Sequence, residues 1–152
     1  MKKLLLIVFS ISLTLSMINC SSNDRDDETK NYVGKWYFKK ASVYIDGDLD
    51  GTNDFTGTCE GKSYFDIKSD GNVDYANYSN QYIVTTNNYE CQLKNHSGSY
   101  NDSTKKLKLI QGNDVTESNV EFVGSEMQLT YETTQTFNNV TVKVKSVLIL
   151  NK

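Results

Sequence analysis

The sequence predicts an all-β protein, an antiparallel up-and-down meander of about eight to ten strands that closes into a barrel. Three observations carry this expectation. The chain has no proline and is rich in Asn, Ser and Thr, with ten tyrosines. Thr, Tyr and Val suit a pleated, half-buried surface, and Asn, Gly and Asp supply turns. After residue 32 nearly every segment alternates apolar and polar side chains, and no stretch holds a 3.6-residue period long enough for a stable helix. Turn signals recur roughly every eight to twelve residues. Clean alternation and short turns favour a barrel, and a two-sheet sandwich is the other way to bury the same faces.

A length of 152 residues suits one domain better than two. The hydrophobic fraction of 38% and the charged fraction of 23% belong to a folded chain. A formal charge of −3 leaves no basic footprint for nucleic acid, so that class of partner is set aside.

Residues 1–19 read as a secretory signal. Met1, Lys2 and Lys3 form a cationic flank, and an apolar run from Leu4 continues to Ile18 before the chain turns polar. The run ends in Leu15, Ser16, Met17, Ile18, Asn19 and Cys20, which resembles a bacterial lipoprotein processing box, with Met17 and Asn19 departing from its usual residues. The resemblance implies that Cys20 becomes the first mature residue and carries the acyl chains. With Cys20 acylated, the other two of the three cysteines, Cys59 and Cys91, remain as a pair for an oxidising compartment. Residues 20–31 hold the acidic run Asp24, Arg25, Asp26, Asp27, Glu28, too polar to offset an ordering entropy, and are expected to be a flexible tether. An acidic run after the lipidated Cys resembles the export signal by which Bacteroidetes lipoproteins reach the outer face of the outer membrane. By composition alone it is a solvated spacer.

The folded domain is expected over residues 32–152. Its first strand, 33–45, puts Trp36 and Phe38 on one face and Tyr37 and Lys39 on the other. A long polar connection, 46–61, follows, with room for one helical turn. Residues 62–68 alternate around Phe65 and Ile67, Asp70-Gly71 is a strong hairpin signal, and 72–78 returns with Val73 and Tyr75. Residues 81–86 and 89–94 read as another pair around Asn87-Asn88, their apolar faces carrying Tyr82 and Val84, then Tyr89, Cys91 and Leu93. The stretch 96–100 is left as strand or loop. Residues 106–110 present Leu107 and Leu109, 119–123 present Val120 and Phe122, and Gly124-Ser125 turns into Met127, Leu129 and Tyr131. The last strand, 138–150, aligns Val140, Val142 and Val144 and then slips phase at Ser146-Val147, where a bulge or bend is expected.

Gly34-Lys35-Trp36 in the first strand resembles the G-x-W opening of lipocalins. The ordered set of processing box, acidic tether, G-x-W, Asp/Gly-rich insertion, Cys, aromatic strand with a D-G hairpin and second Cys is similar to the lipocalin-like lipoproteins of Bacteroidetes. The likeness spans nearly the whole chain. It implies a lipocalin-like β-barrel in which Gly34 and Trp36 close the bottom, a structural role rather than a ligand contact. Lipocalins proper end in a helix, and nothing after Tyr131 reads as one.

The pair Cys59 and Cys91 lacks the C-x-x-C spacing of a redox site, so a structural disulfide is expected. Asp46, Asp48, Asp50 and Gly51 form the D-x-D-x-D-G start of an EF-hand-type loop, with Asp54 able to fill a further position. The twelfth position is Gly57 instead of Glu, so calcium at these carboxylates competes with a solvated acidic loop; no other cofactor is expected. His96 is the one histidine, and no triad, zinc or carboxylate-pair spacing surrounds it, so no enzyme is expected. The expected function is that of an outer-membrane-anchored lipoprotein, on its periplasmic or its outer face, with a small apolar or amphipathic ligand in the barrel. The alternative is a cavity-free barrel or sandwich that binds an envelope protein or glycan.

Overall fold

The computed structural model describes residues 30–137 and 140–152. The expected signal (1–19), Cys20 and most of the expected tether lie outside the described residues. Nine strands follow in order: β1 (Gly34–Ile45), β2 (Asp48–Asp54), β3 (Tyr64–Ile67), β4 (Asn72–Ile83), β5 (Asn88–Asn101), β6 (Lys106–Gln111), β7 (Asp114–Val123), β8 (Glu126–Phe137) and β9 (Val140–Asn151). A single 3-10 turn, Glu60–Lys62, precedes β3, and no α-helix occurs among the described residues.

Every pairing is antiparallel, and β3 through β9 each pair with the next in sequence. β1 pairs with β3 through Gly34–Tyr37 and with β9 from Tyr37 to Ile45, so β1 and β3–β9 close an eight-stranded barrel. β2 is an extra strand laid along the far half of β1, where β3 does not reach.

The inner face follows from the two-residue period of a strand. Trp36, Phe65, Ile67, Val73, Tyr75, Tyr100, Leu107, Val120, Met127, Leu129 and Leu150 are buried in one cluster. An eight-stranded barrel is just wide enough for side chains to fill it. At the Trp36 end they do. The indole is 3% exposed, its Nε1–H donates to the Tyr32 carbonyl at 2.8 Å, and the Lys152 ammonium lies 4.9 Å from its ring centre.

The expected sequence of strands is corrected in three places. The polar connection 46–61 contains β2, because the turn at Asp46 and Gly47 (both at positive φ) folds 48–54 back on β1. The pieces 72–78 and 81–83 are one continuous β4, with 84–86 in the turn rather than the strand, and 89–94 with 96–100 are one β5, paired residue for residue from Asn72↔Ser99 to Ile83↔Asn88. Ser79, Asn80 and Asn95, which read as breaks, here lie within unbroken cross-strand register. β9 runs without a register shift, and Ser146 keeps the inward phase of Val144 and Leu148. The irregularities fall instead in β1, at Phe38/Lys40 against β9 and at Val43/Tyr44 against β2.

A fourth correction concerns facing. On β4 the inner set is Val73, Tyr75, Asn77, Ser79 and Gln81, so Tyr82 lies on the outside; opposite it, Tyr89, Cys91 and Leu93 also face out. Tyr82, Tyr89 and Leu93 are 50%, 67% and 45% exposed, and their apolar face does not join the common interior.

The wall between β1 and the outer half of β4 is closed by irregular chain. Phe55 N–H donates to Lys39 O, and Phe38 N–H donates to Ser63 O. The wholly buried Ser63 hydroxyl accepts from Tyr78 N–H at 2.8 Å and donates to Tyr78 O at 3.3 Å. The Glu60 carboxyl is held below its ordinary value first by its own backbone N–H and then by the bond it accepts from Asn80 N–H. Cys59 and Cys91 are joined, tying this segment to the outer face of β5.

Candidate functional site: the mouth of the barrel

The half of the barrel beyond the Trp36 cluster holds a cavity of about 290 Å³. Its apolar wall consists of Phe38, Phe65, Tyr75, Leu109, Leu129 and Leu148, and Gln111, Ser118, Tyr131 and Ser146 add polar groups. Seven strands contribute, because inward positions of β1, β3, β4, β6, β7, β8 and β9 converge there. Small inward residues leave the space open: Ser118, Ser146 and Ala41 stand where larger apolar side chains would fill the barrel.

One side of the cavity is an aromatic wall. Phe65 and Tyr75 have ring centres 4.7 Å apart, Phe38 and Phe65 5.3 Å, and Phe38 stacks on Tyr75 at 6.0 Å and 19°. Phe55 backs Phe38 at 6.2 Å, and His96 lies 5.5 Å from Tyr75. Burial pushes the Tyr75 phenol up to about 12, so at neutral pH it presents an uncharged hydroxyl.

The rim is uneven. β6 ends opposite Ser97 and turns at Gly112, whereas β5 runs on to Asn88 paired with β4 alone. β8 likewise passes its last β7 pair, Asn119↔Thr130, and continues with β9. Two ribbons therefore stand above a low lip at the β6–β7 turn. The inner face of the β4–β5 ribbon carries Asn77, Ser79, Gln81, Gln92 and Lys94, so the cavity passes from apolar floor to hydrogen-bonding rim.

A second groove, of about 690 Å³, runs between the β1–β2 turn and the β8–β9 ribbon. Glu132 stands across the ladder from Lys145, and Asp46 Oδ1 accepts from the Lys143 backbone N–H at 2.9 Å. The barrel cavity, whose mostly apolar lining is drawn from seven strands, is the stronger candidate for a ligand.

Of the residues singled out by sequence, Gly34 and Trp36 lie on β1, with Trp36 in the buried cluster, while Cys59 and Cys91 form the disulfide. The four carboxylates considered for calcium are not brought together. Asp46 sits in the hairpin turn, Asp48, Asp50 and Asp54 are spread along β2, and Asp54 Oδ1 accepts from Thr56 N–H at 2.8 Å. Among the described residues no group of three His, Cys, Asp or Glu side chains could hold a metal. Cys20 lies outside the described residues. Sequence reading missed Phe55, Ser118 and Ser146. The signal for Ser146 was its place in phase with Val144 and Leu148, a hydroxyl inserted in an apolar row.

Fold and cavity together define an eight-stranded antiparallel barrel, stoppered at one end and open with an amphipathic lining at the other. No protein-family model matches the chain, and no curated protein shows significant similarity to it.

Proposed function

We propose that this protein is a lipocalin-like, membrane-anchored binder of a small apolar or amphipathic molecule, held in the mouth of the barrel. The observation that carries the reading is the cavity of about 290 Å³ with rings on one side and hydroxyls and an amide around it. Ligand sites are usually concave, mostly apolar and supplied with a few placed polar groups. At a water's share of about 30 Å³ the space equals that of roughly ten waters. That suits one ring system or a short acyl segment, with any polar end left among Asn77, Gln92 and Lys94 at the rim. Native mass spectrometry of protein purified from the cell envelope should show a co-purified small molecule. An apolar naphthylamine probe should gain fluorescence with the unmodified protein and lose most of it with Ser146→Phe, which fills the cavity. A clean apo mass together with no probe uptake would remove the ligand-binding reading.

The anchor is a separate part of the proposal and rests on the processing-box resemblance at Cys20 and the acidic run behind it. Two or more acyl chains, each methylene contributing about 0.8 kcal/mol when buried, hold a protein stably on a bilayer. Metabolic labelling with a palmitate analogue should mark the protein and should vanish in Cys20→Ala. Label that persists in the variant refutes the anchor. The likeness of the acidic run to an export signal supports a barrel on the outer face of the outer membrane, and a plain spacer there would leave it periplasmic.

A second reading, an interaction module for an envelope protein or glycan, is favoured by one observation. Tyr82 and Tyr89 pack edge to face at 5.3 Å on the outside of the β4–β5 ribbon, and both remain half-exposed or more.

A further inference from the structure

The outward edge of β5 is a strand edge with no partner among the described residues from Asn88 to His96. Which backbone groups it offers follows from the ladder. Tyr100 N–H donates to Gly71 O on the β4 side, so even-numbered residues of β5 bond toward β4. The β4 residues opposite odd positions agree, since Tyr78 N–H and Asn80 N–H, facing Leu93 and Cys91, turn away from β5 to Ser63 and Glu60. The N–H and C=O groups of Tyr89, Cys91, Leu93 and Asn95 therefore point outward from the free edge. Natural proteins usually shorten, cover or bend such an edge. This one is long, runs in unbroken register, and is covered by no other strand among the described residues.

We propose that this edge receives the same edge of a second copy of the chain, antiparallel about Gln92, so that the two β4–β5 ribbons form one four-stranded sheet. Charge selects the copy and the register. Among the described residues neither Glu90 nor Lys94 forms an ion pair within its own chain. Pairing about a two-fold axis at Gln92 sets Glu90 of each chain opposite Lys94 of the other, twice. It also sets Tyr89 opposite Asn95 and Cys91 opposite Leu93, the positions whose backbone groups face outward, so all four residues of each edge bond. Shifting the axis to residue 91 or 93 keeps backbone bonds but leaves both charges facing neutral side chains, Gln92, Asn88 or His96. Only one antiparallel register satisfies both requirements. The length fits as well: in this register the tip of the second ribbon ends beside Ser97, where β6 begins to occupy the edge. Such an interface is isologous and closes at two copies.

The test uses Gln92→Cys in the full chain. Across the axis residue 92 meets its own copy in a non-hydrogen-bonded pair, with Cα atoms about 4.5 Å apart, within the span of a disulfide. A dimer should appear on non-reducing electrophoresis without added oxidant. Adding Glu90→Lys alone, which puts like charges opposite each other twice, should weaken association roughly tenfold to a hundredfold. Adding Glu90→Lys and Lys94→Glu together should restore it. Sedimentation of the unsubstituted protein gives a check that needs no new cysteine: a dimer that Glu90→Lys converts to monomer and the double reversal recovers. Absence of a dimer in both experiments, or a dimer indifferent to the charge reversals, overturns the proposal.

Discussion

At the residue scale, the position that joins core and site is Tyr75. Its ring belongs to the buried cluster and also forms part of the aromatic wall of the cavity, and its phenol is held up at about 12 by burial. Tyr100 is shifted the same way, by burial and then by its bond to the Asp102 carboxylate. The sign of the pH effect follows. In the unfolded chain a phenol ionises near 10.0, while in the folded barrel Tyr75 stays neutral until about 12. Its contribution to stability is complete below the unfolded value and is lost as the pH climbs from 10 toward 12. Urea unfolding midpoints should fall over that interval, and Tyr75→Phe should flatten the fall. A variant that declines as steeply as its parent would mean that this phenol is not responsible. The place of Tyr75 and Phe65 on the inner face was legible from alternation alone. That Ser118 and Ser146 stand beside them as space-making residues was not, because a serine in a strand reads equally as a turn, a bulge or a small lining residue until the register is known.

At the scale of elements, the segment from Phe55 to Ser63 takes the place of a strand in the wall. It offers the Phe55 N–H, the Ser63 carbonyl and hydroxyl and the Glu60 carboxylate where a ladder would otherwise run, and its tight fit shows at Gly61, where an added Cβ would collide with Phe55 O. Ser63→Ala removes both bonds to Tyr78 and should cost about 1–3 kcal/mol, since the buried Tyr78 N–H loses its acceptor. Reducing the disulfide releases a loop closed over a separation of 32 residues and should cost about 3–4 kcal/mol. Chemical denaturation of the variant and of the reduced protein measures both. A change below a few tenths of a kcal/mol in Ser63→Ala would show that the edge of β4 finds water instead. Sequence reading reached the disulfide through cysteine count and never saw this segment, because its work is done by backbone groups, one hydroxyl and one carboxylate, which carry no hydrophobic period. The same blindness split β4 and β5: the ribbon they form puts its amides toward the axis and its tyrosines away from it, opposite to the facing that alternation predicts for a strand over a core.

At the scale of the molecule, closure was legible and its seam was not. Alternation in most segments after residue 32 pointed to a common interior, and short turns pointed to neighbouring partners in sequence order. Nothing local could show that β1 divides its edge between β3 and β2 while its other edge takes β9. That arrangement brings the two ends of the described domain together, with the Lys152 ammonium donating to Asn31 O at 2.8 Å. A chain relinked from Lys152 to Asn31 by a short spacer and opened at Gly112-Asn113 should therefore fold, keep the Cys59–Cys91 bond and retain its probe-binding cavity. Failure of that permuted chain, with the spacer varied in length, would mean that the order in which strands are delivered matters as well as their final neighbours.

The β1–β9 seam also has a temporal consequence. A polypeptide released amino end first presents β1 long before residues 144–151 exist to mate with it, and until then the sheet has two raw margins. This final strand of the nine is thus the zip that shuts the vessel. Stalled or clipped molecules lacking it are the ones that should clump.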